Sequence, residues 1–407
     1  MKLNANPFFA TKKTKSSMGI ESHQLLVQAG FIDQVGSGLY TWLPLGFKVL
    51  NKIVNIIRVS LDRAGCQELL FPTIQPGELW EKSGRLASAY GDEKLVITDR
   101  GKKKLVYGPT AEEISVDLFT KHFQSYKQLP LVLHNIQWKF RDEIRPRFGI
   151  KRAREFLMLD AYSFDESIES AHQTYQYINK VFQDILSQFG FNVISARADS
   201  GEIGGDLSHE LIVEGENGEV KVHQLADGPS SIEIENDENV IYGNEVGHTF
   251  YLGDTYSSKF NAKIATANGD SIVYMGCYGI GVSRVLGVIA EKYSQEGKLN
   301  WPVVNGRSIA PYDITIIPLH EESQLTQQLA LALKGYDVLI DARQDTSLGE
   351  KLGDAELTGI PLRIVIGKKE EQSCTFDIKS NHSKISGVTL EAVVDRVKEL
   401  LTNKYMP

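Results

Sequence analysis

The stretch LVLHNIQWKFRDEIRPRFGIKRAREFLMLDAYSF, Leu131 to Phe164, joins two β-patterned runs through a basic loop. Alternation in the first run sets Ile136, Trp138 and Phe140 on one face and Gln137, Lys139, Arg141 and Glu143 on the other, because strand side chains repeat every two residues. REFLMLDAYSF comes back as the second strand. A long antiparallel hairpin with one charged face is expected, and a sheet built on hairpins makes an α+β fold. Residues 137–156 carry seven Lys and Arg, in a chain whose net charge is -8. The alternation spaces Arg141 and Glu143 by about 7 Å along the strand, with Phe156 across from them. A ring, a carboxylate and a guanidinium on one surface suit a nucleotide: stacking on the base, accepting from an exocyclic amine, gripping phosphate. A salt-bridged surface hairpin is the competing reading.

Upstream, Phe47, Leu50, Val54, Ile57 and Leu61 share one helical face over 47–64, and Gly65 ends that helix. CQELLFPTIQP reads as a strand stopping at Pro72, and LVITDRGKKKLVYG as a hairpin turning at Arg100–Gly101. Its lysines, Lys102–Lys104, fit a solvated turn better than a nucleic-acid contact. GPTAEE follows. Thr110 and Glu112 can form a small polar socket for an ammonium group, while Glu113 fits a first-turn helix acid.

Downstream, Asp165 is placed to cap a helix ending at Gln188, with Ile168, Ala171, Tyr175, Ile178, Phe182, Ile185 and Phe189 as its core stripe. Residues 201–245 read as loops and short strands. MGCYGIGVSR reads as a strand, a glycine-rich turn and a helix, with Arg284 one turn in. Its G-x-x-G-x-G spacing is neither a dinucleotide fingerprint nor a phosphate loop ending in GK[ST]. From near Ser308 strand and helix patterns alternate, which implies a small α/β domain.

A length of 407 residues fits two or three domains. Cys66, Cys277 and Cys374 are far apart, which argues against a zinc ribbon or disulfide framework and suits a reducing compartment. No apolar run nears a membrane span, and the first twenty residues lack the apolar core of a secretory signal.

Taken together, three stretches resemble the signature motifs of the class II aminoacyl-tRNA synthetases. RAGCQELLFPTIQP resembles motif 1, FRDE with the loop and RAREFLMLD motif 2, and GIGVSR motif 3. Six ordered blocks, among them SHQLLVQAGFIDQVGSGLYTWLPLG, YGPTAEE, EVGHTFYLGDTYS and MGCYGIGVSR, are more specifically similar to the bacterial-type prolyl members. The resemblance implies a class II antiparallel sheet with flanking helices over residues 1–305 and an α/β anticodon-binding domain over 306–407. It implies a cytoplasmic homodimer with Pro72 at its interface, and L-proline, ATP, Mg²⁺ and tRNA(Pro) as ligands. Arg141 is then expected at the ATP α-phosphate and the amino-acid carboxylate. Glu143 and Phe156 are expected at the adenine, Arg152 and Arg284 at the outer phosphates, and Gly279 and Gly281 beside the nucleotide. Thr110 and Glu112 are expected at the proline ammonium, with His248, Phe250 and Cys277 lining that pocket. One departure stands out. Asp199 to Ser283 is only 85 residues, too short for the large editing insertion that many bacterial members carry. Glu214 to Asn244 takes its place, and misactivated alanine is expected to go uncleared in cis. DTSLGEKL departs from the family's usual anticodon-domain loop.

Overall fold

The computed structural model describes residues 11–12, 19–87, 93–215, 217–234, 239–267, 269–320, 324–381 and 383–402. The described residues cluster into two compact units: one from 1–35, 40–52 and 289–407, the other from 36–39 and 53–288.

The second unit is organised by a nine-stranded sheet. In chain order its strands are β1 (Gln67–Glu68), β2 (Leu131–Phe140), β3 (Glu155–Asp165), β4 (Val193–Arg197), β5 (Leu207–Glu214), β6 (Val220–Leu225), β7 (Gly228–Ser230), β8 (Val240–Gly253) and β9 (Tyr274–Gly281). Their spatial order is β5-β4-β7-β6-β8-β9-β3-β2-β1, and β5 also pairs β8. The expected hairpin forms, from Leu131↔Phe164 to Phe140↔Glu155. The pairings are antiparallel except β1 with β2 and a single contact of β7 with β4.

Several sequence readings need correction. The strand stops at Phe140, so alternation does not place Glu143. Instead the Glu143 N–H bonds back to the Arg141 carbonyl at 2.8 Å, a tight turn. The charged face is covered at Lys139, which is 3% exposed, so the hairpin is not simply a surface one. CQELLFPTIQP gives only the two-residue β1 and then Ile74–Pro76, which pairs with Lys104–Tyr107. The glycines of MGCYGIGVSR make no turn: β9 runs straight through them into a helix. There they permit contact. A Cβ on Gly276 would lie 2.2 Å from the Tyr278 hydroxyl, and one on Gly279 2.5 Å from Met158 Cε.

The helices are α1 (Pro44–Arg63), α2 (Glu112–His122), α3 (Ile168–Ser187) and α4 (Val282–Tyr293). Pro44 suits the first turn of α1, where its missing N–H costs nothing, and Gly65 follows at φ +80°. Leu50, Val54, Ile57 and Leu61 are buried as expected, but Phe47 is exposed. α3 packs on β3, β8 and β9 through Ala171, Tyr175, Ile178, Phe182 and Ile185, whose three–four spacing makes one apolar stripe. Its cap is Ser167 rather than Asp165, and Ile168 stands exposed. Asp165 instead accepts from the Ser170 and Thr174 hydroxyls at 2.8 and 2.7 Å. The hairpin of Val96–Thr98 with Lys104–Tyr107 forms, and Lys102–Lys104 are exposed at its turn.

In the other unit, Ile314–Pro318, Val338–Ile340 and Leu362–Ile366 form parallel pairs with Ile314–Pro318 central. Thr375–Lys379 and Lys384–Thr389 extend that sheet antiparallel. The strand–helix alternation predicted the first three strands. No helix among the described residues is long and apolar enough to cross a membrane.

Candidate active site

A cavity opens over β3, β8 and β9. Arg141, Glu143, Lys151, Arg152, Phe156, Glu245, His248, Gly279, Gly281 and Arg284 are among its lining residues. Every residue expected at the nucleotide is therefore on one wall system. The Arg141 guanidinium lies 5.4 Å from the Phe156 ring centroid, so cation and stacking surface are preassembled. The loop bearing Arg141 is pinned at both strand ends: Arg141 N–H donates to the Arg154 carbonyl at 2.8 Å, and Arg154 N–H to that of Gly38 at 2.9 Å. Asp142 is not among the lining residues and pairs with Arg154 instead. Arg145 and Arg147 are exposed on the loop.

Arg284, in the first turn of α4, donates to the Lys151 carbonyl at 2.6 Å and to the Glu245 carboxylate at 3.1 Å. Burial pushes the Glu245 carboxyl up, but Arg284 and His248 overcome it and hold the group well below the usual carboxylate range. His248 Nε2 lies 2.6 Å from Ser208 Oγ, and its Nδ1 3.6 Å from Glu245. Glu210, Glu245 and His248 bring one potential ligand atom each within 4.8 Å of the others. Burial and the neighbouring Glu245 charge raise the Glu210 carboxyl. Two acids this close, one resisting ionisation beside the other's charge, form a place where a cation relieves repulsion. Sequence reading could not find this trio. Period two puts residues 245 and 248 on opposite faces, but the register steps from Leu211↔Gly247 to Ile212↔Glu245. Val246 is thus an extra residue, and a bulge of that kind reverses the parity.

Below this cavity lies a second cluster. Thr110 Oγ1 is 2.8 and 2.6 Å from the two Glu112 oxygens. Glu112 opens α2 and is fully buried. It also takes Arg85 Nη1 at 3.1 Å and Cys277 Sγ at 3.1 Å. Burial alone raises its carboxyl, yet Arg85, Thr110 and Cys277 bring it below the ordinary value. Glu113, also fully buried, goes the other way: burial and the Glu112 charge raise it despite Arg85 and a Ser83 hydroxyl at 2.8 Å. The two acids thus move in opposite directions around a single guanidinium, Glu112 toward ionisation and Glu113 away from it. The network continues through Tyr162, whose hydroxyl accepts the Ala111 N–H at 2.7 Å and donates to Asp160 at 2.8 Å. Lys139 closes it with a buried 3.0 Å pair to Asp160.

Of the residues expected around the amino acid, Thr110, Glu112 and Cys277 meet here. Phe250 is buried in the adjoining core, its ring stacked 3.9 Å from that of His248. His248 itself lines the upper cavity. Arg141 joins the two sites, its Nη2 3.5 Å from the Pro109 carbonyl beside Thr110. Arg85, Asp160 and Tyr162 escaped the sequence reading: Arg85 lies just past a short helix, and Asp160 and Tyr162 sit on a strand whose pattern does not say what covers them. Pro72 is exposed between exposed Leu70 and Ile74.

Comparison with known proteins fits this arrangement. Residues 94–293 match the tRNA synthetase class II core domain (G, H, P, S and T), and 313–400 match an anticodon binding domain. A proline–tRNA ligase of Caulobacter sp. (strain K31) is 42% identical over 413 residues, covering 91% of this chain and 92% of that protein. One from Ehrlichia chaffeensis is 38% identical, covering 92% and 94%. Among solved structures, Giardia lamblia prolyl-tRNA synthetase in complex with prolyl-adenylate superposes with a TM-score of 0.77 at 22% identity, covering 97% of this chain and 82% of that one. The Cryptosporidium parvum prolyl-tRNA synthetase complexed with L-proline and AMP gives 0.74 at 18%, covering 94% and 75%. At those identities the structures speak for the fold.

Proposed function

Because the chain belongs to the proline–tRNA ligase family of class II synthetases, we propose that its two adjoining clusters form one adenylation site. The observation that carries this is Arg141, which lines the nucleotide cavity and also reaches the backbone beside the Thr110–Glu112 socket. The enzyme activates L-proline with ATP to prolyl-adenylate and pyrophosphate, then transfers the prolyl group to the 3′ end of tRNA(Pro). The described residues between β3 and β9 are taken up by α3, by strands of the same sheet, by the short helix Ser257–Phe260, by a two-stranded hairpin of Lys263–Thr266 with Gly269–Ile272 and by short connections, which leaves no separate editing domain among them.

The attacking proline carboxylate is already an anion, so the first step needs no general base. Catalysis is positioning plus electrostatic stabilisation of the phosphoryl transition state. Arg141 holds the proline carboxylate against the α-phosphate, neutralising both. Glu143 accepts from the adenine amine, and Phe156 stacks on the ring. Arg152 and Arg284 hold the outer phosphates, while Gly279 and Gly281 keep the cavity floor free of side chains. Ionised Glu112, with Thr110, takes the secondary ammonium, and Cys277 and Phe250 shape the apolar side. Glu245 and Glu210 fit Mg²⁺, which prefers oxygen ligands, and His248 orients Glu245. Bound there, the ion supplies charge neutralisation at the phosphates. The exposed run Leu70, Pro72, Ile74 supports a homodimer contact, and the unit built on Ile314–Pro318 supports anticodon binding. These roles suit a cytoplasmic translation enzyme.

Proline-dependent ATP–pyrophosphate exchange, followed by aminoacylation of tRNA(Pro), tests the assignment. Exchange driven equally by threonine, histidine or glycine, or binding of tRNA without adenylate formation, overturns it.

A further inference from the structure

The short segment that replaces the editing insertion is fastened to the nucleotide site. Lys151 and Arg152 do it. The Lys151 ammonium, almost fully buried, donates to the Asn217 carbonyl at 3.2 Å and to Asn244 Oδ1 at 2.8 Å. Within the segment, Gly218 lies against β8 so closely that a Cβ there would stand 2.3 Å from the Gly243 nitrogen. Next to that glycine, Glu219 accepts from Arg152 Nη1 at 3.4 Å.

Arg152 is held from two sides. Glu143 takes its Nε and Nη2 at 3.1 and 3.0 Å, and Glu219 takes Nη1. Burial lowers the tendency of Arg152 to stay charged, and both carboxylates outweigh it, so its pKa is raised. A guanidinium has five N–H donors, so two acids leave donors over for a third acceptor. The two acids are not equivalent. Glu143 lines the cavity; Glu219 is not among its lining residues and reaches Arg152 from behind. Phosphates entering the cavity therefore do not contend for the place Glu219 occupies. An arginine side chain loses much rotamer freedom when it is fixed, and a carboxylate that fixes it beforehand removes that cost from ligand binding.

We propose that Glu219 is a positioning residue for ATP: the segment that stands in for the editing insertion holds Arg152 ready for the outer phosphates. The inference rests on the assignment of Arg152 to those phosphates. Pyrophosphate exchange is measured against ATP and against proline for the parent, Glu219→Gln, Arg152→Ala and the double variant, with thermal unfolding of each. Arg152→Ala is expected to raise the ATP KM by roughly tenfold or more, as loss of a charged hydrogen bond does. Glu219→Gln is expected to raise it about three- to tenfold, to leave the proline KM within about twofold, and to add nothing in the Arg152→Ala background. Glu219→Asp restores part of the loss. An ATP KM unchanged or lowered in Glu219→Gln overturns the proposal, as does the same increase in the Arg152→Ala background or an equal rise of both KM values. An unchanged ATP KM in Arg152→Ala removes the Arg152 assignment itself, and the inference falls with it.

Discussion

Glu112→Gln isolates the charge proposed to receive the proline ammonium. The substitution keeps volume and one acceptor oxygen, so the Thr110 and Cys277 contacts at 2.8 and 3.1 Å have a partner still. Arg85 does not become an unpaired buried cation, because Glu113 remains 3.0 Å from it. Loss of the Glu112 charge removes one cause of the raised Glu113 carboxyl and so favours its ionisation beside Arg85. The fold should therefore survive. What disappears is the difference between a charge-assisted hydrogen bond and a neutral one. With the former worth about 1.5–3 kcal/mol and the latter about 0.5–1.5, the loss is about 1–2 kcal/mol. A low-dielectric site pushes this toward the upper end. That corresponds to roughly a 10- to 30-fold fall in kcat/KM for proline. Proline-dependent pyrophosphate exchange measures it, with the ATP KM expected to move by less than about twofold. Full activity toward proline, or a loss shared equally by the ATP KM, refutes the placement of the ammonium at Glu112.

Four further outcomes are expected. Arg141→Ala should cost roughly 3 kcal/mol or more of transition-state stabilisation in exchange, and near-normal exchange by the folded variant would count against its role. Lys139→Met strands the buried Asp160 carboxylate, so unfolding in denaturant should come about 3–5 kcal/mol sooner; an unchanged midpoint contradicts the buried pair. Gly276→Ala forces a methyl onto the buried Tyr278 and Ser163 hydroxyls, and a loss of about 1–3 kcal/mol should appear in thermal unfolding. Glu113 has a raised folded-state carboxyl, so its stabilising contribution is complete below the ordinary carboxyl value and is lost as pH rises through the folded one. Glu113→Gln, which cannot ionise, should gain in Tm relative to the parent as pH rises above the ordinary carboxyl value, and a relative fall over that range reverses the reasoning.

The sequence revealed whatever local pattern dictates. Two-residue alternation located the Leu131–Phe164 hairpin, three–four spacing located α3, and the clustered arginines pointed to the cavity over β3, β8 and β9. Three things lay beyond it. Burial of Lys139 depends on what covers the sheet, and no strand pattern encodes that. The Val246 bulge reverses side-chain parity, so Glu245 and His248 converge only in three dimensions. The glycines of β9 read as a turn because glycine marks turns more often than close approaches inside a sheet.

The buried chain from Ser83 through Arg85, the Glu112–Glu113 pair, Thr110, Tyr162 and Asp160 to Lys139 has a consequence for redesign. Each member satisfies its neighbours, so the pocket's polar wall behaves as one object rather than as separate contacts. Widening the site for an unnatural imino acid by changing one of these residues disturbs the protonation of the others and the packing of the sheet beneath. Successful variants should instead alter the apolar side, around Phe250 and Cys277, or exchange several linked polar residues at once. A library that randomises the wall one position at a time should yield mostly misfolded or inactive proteins, even where the enlarged cavity has room for the new substrate.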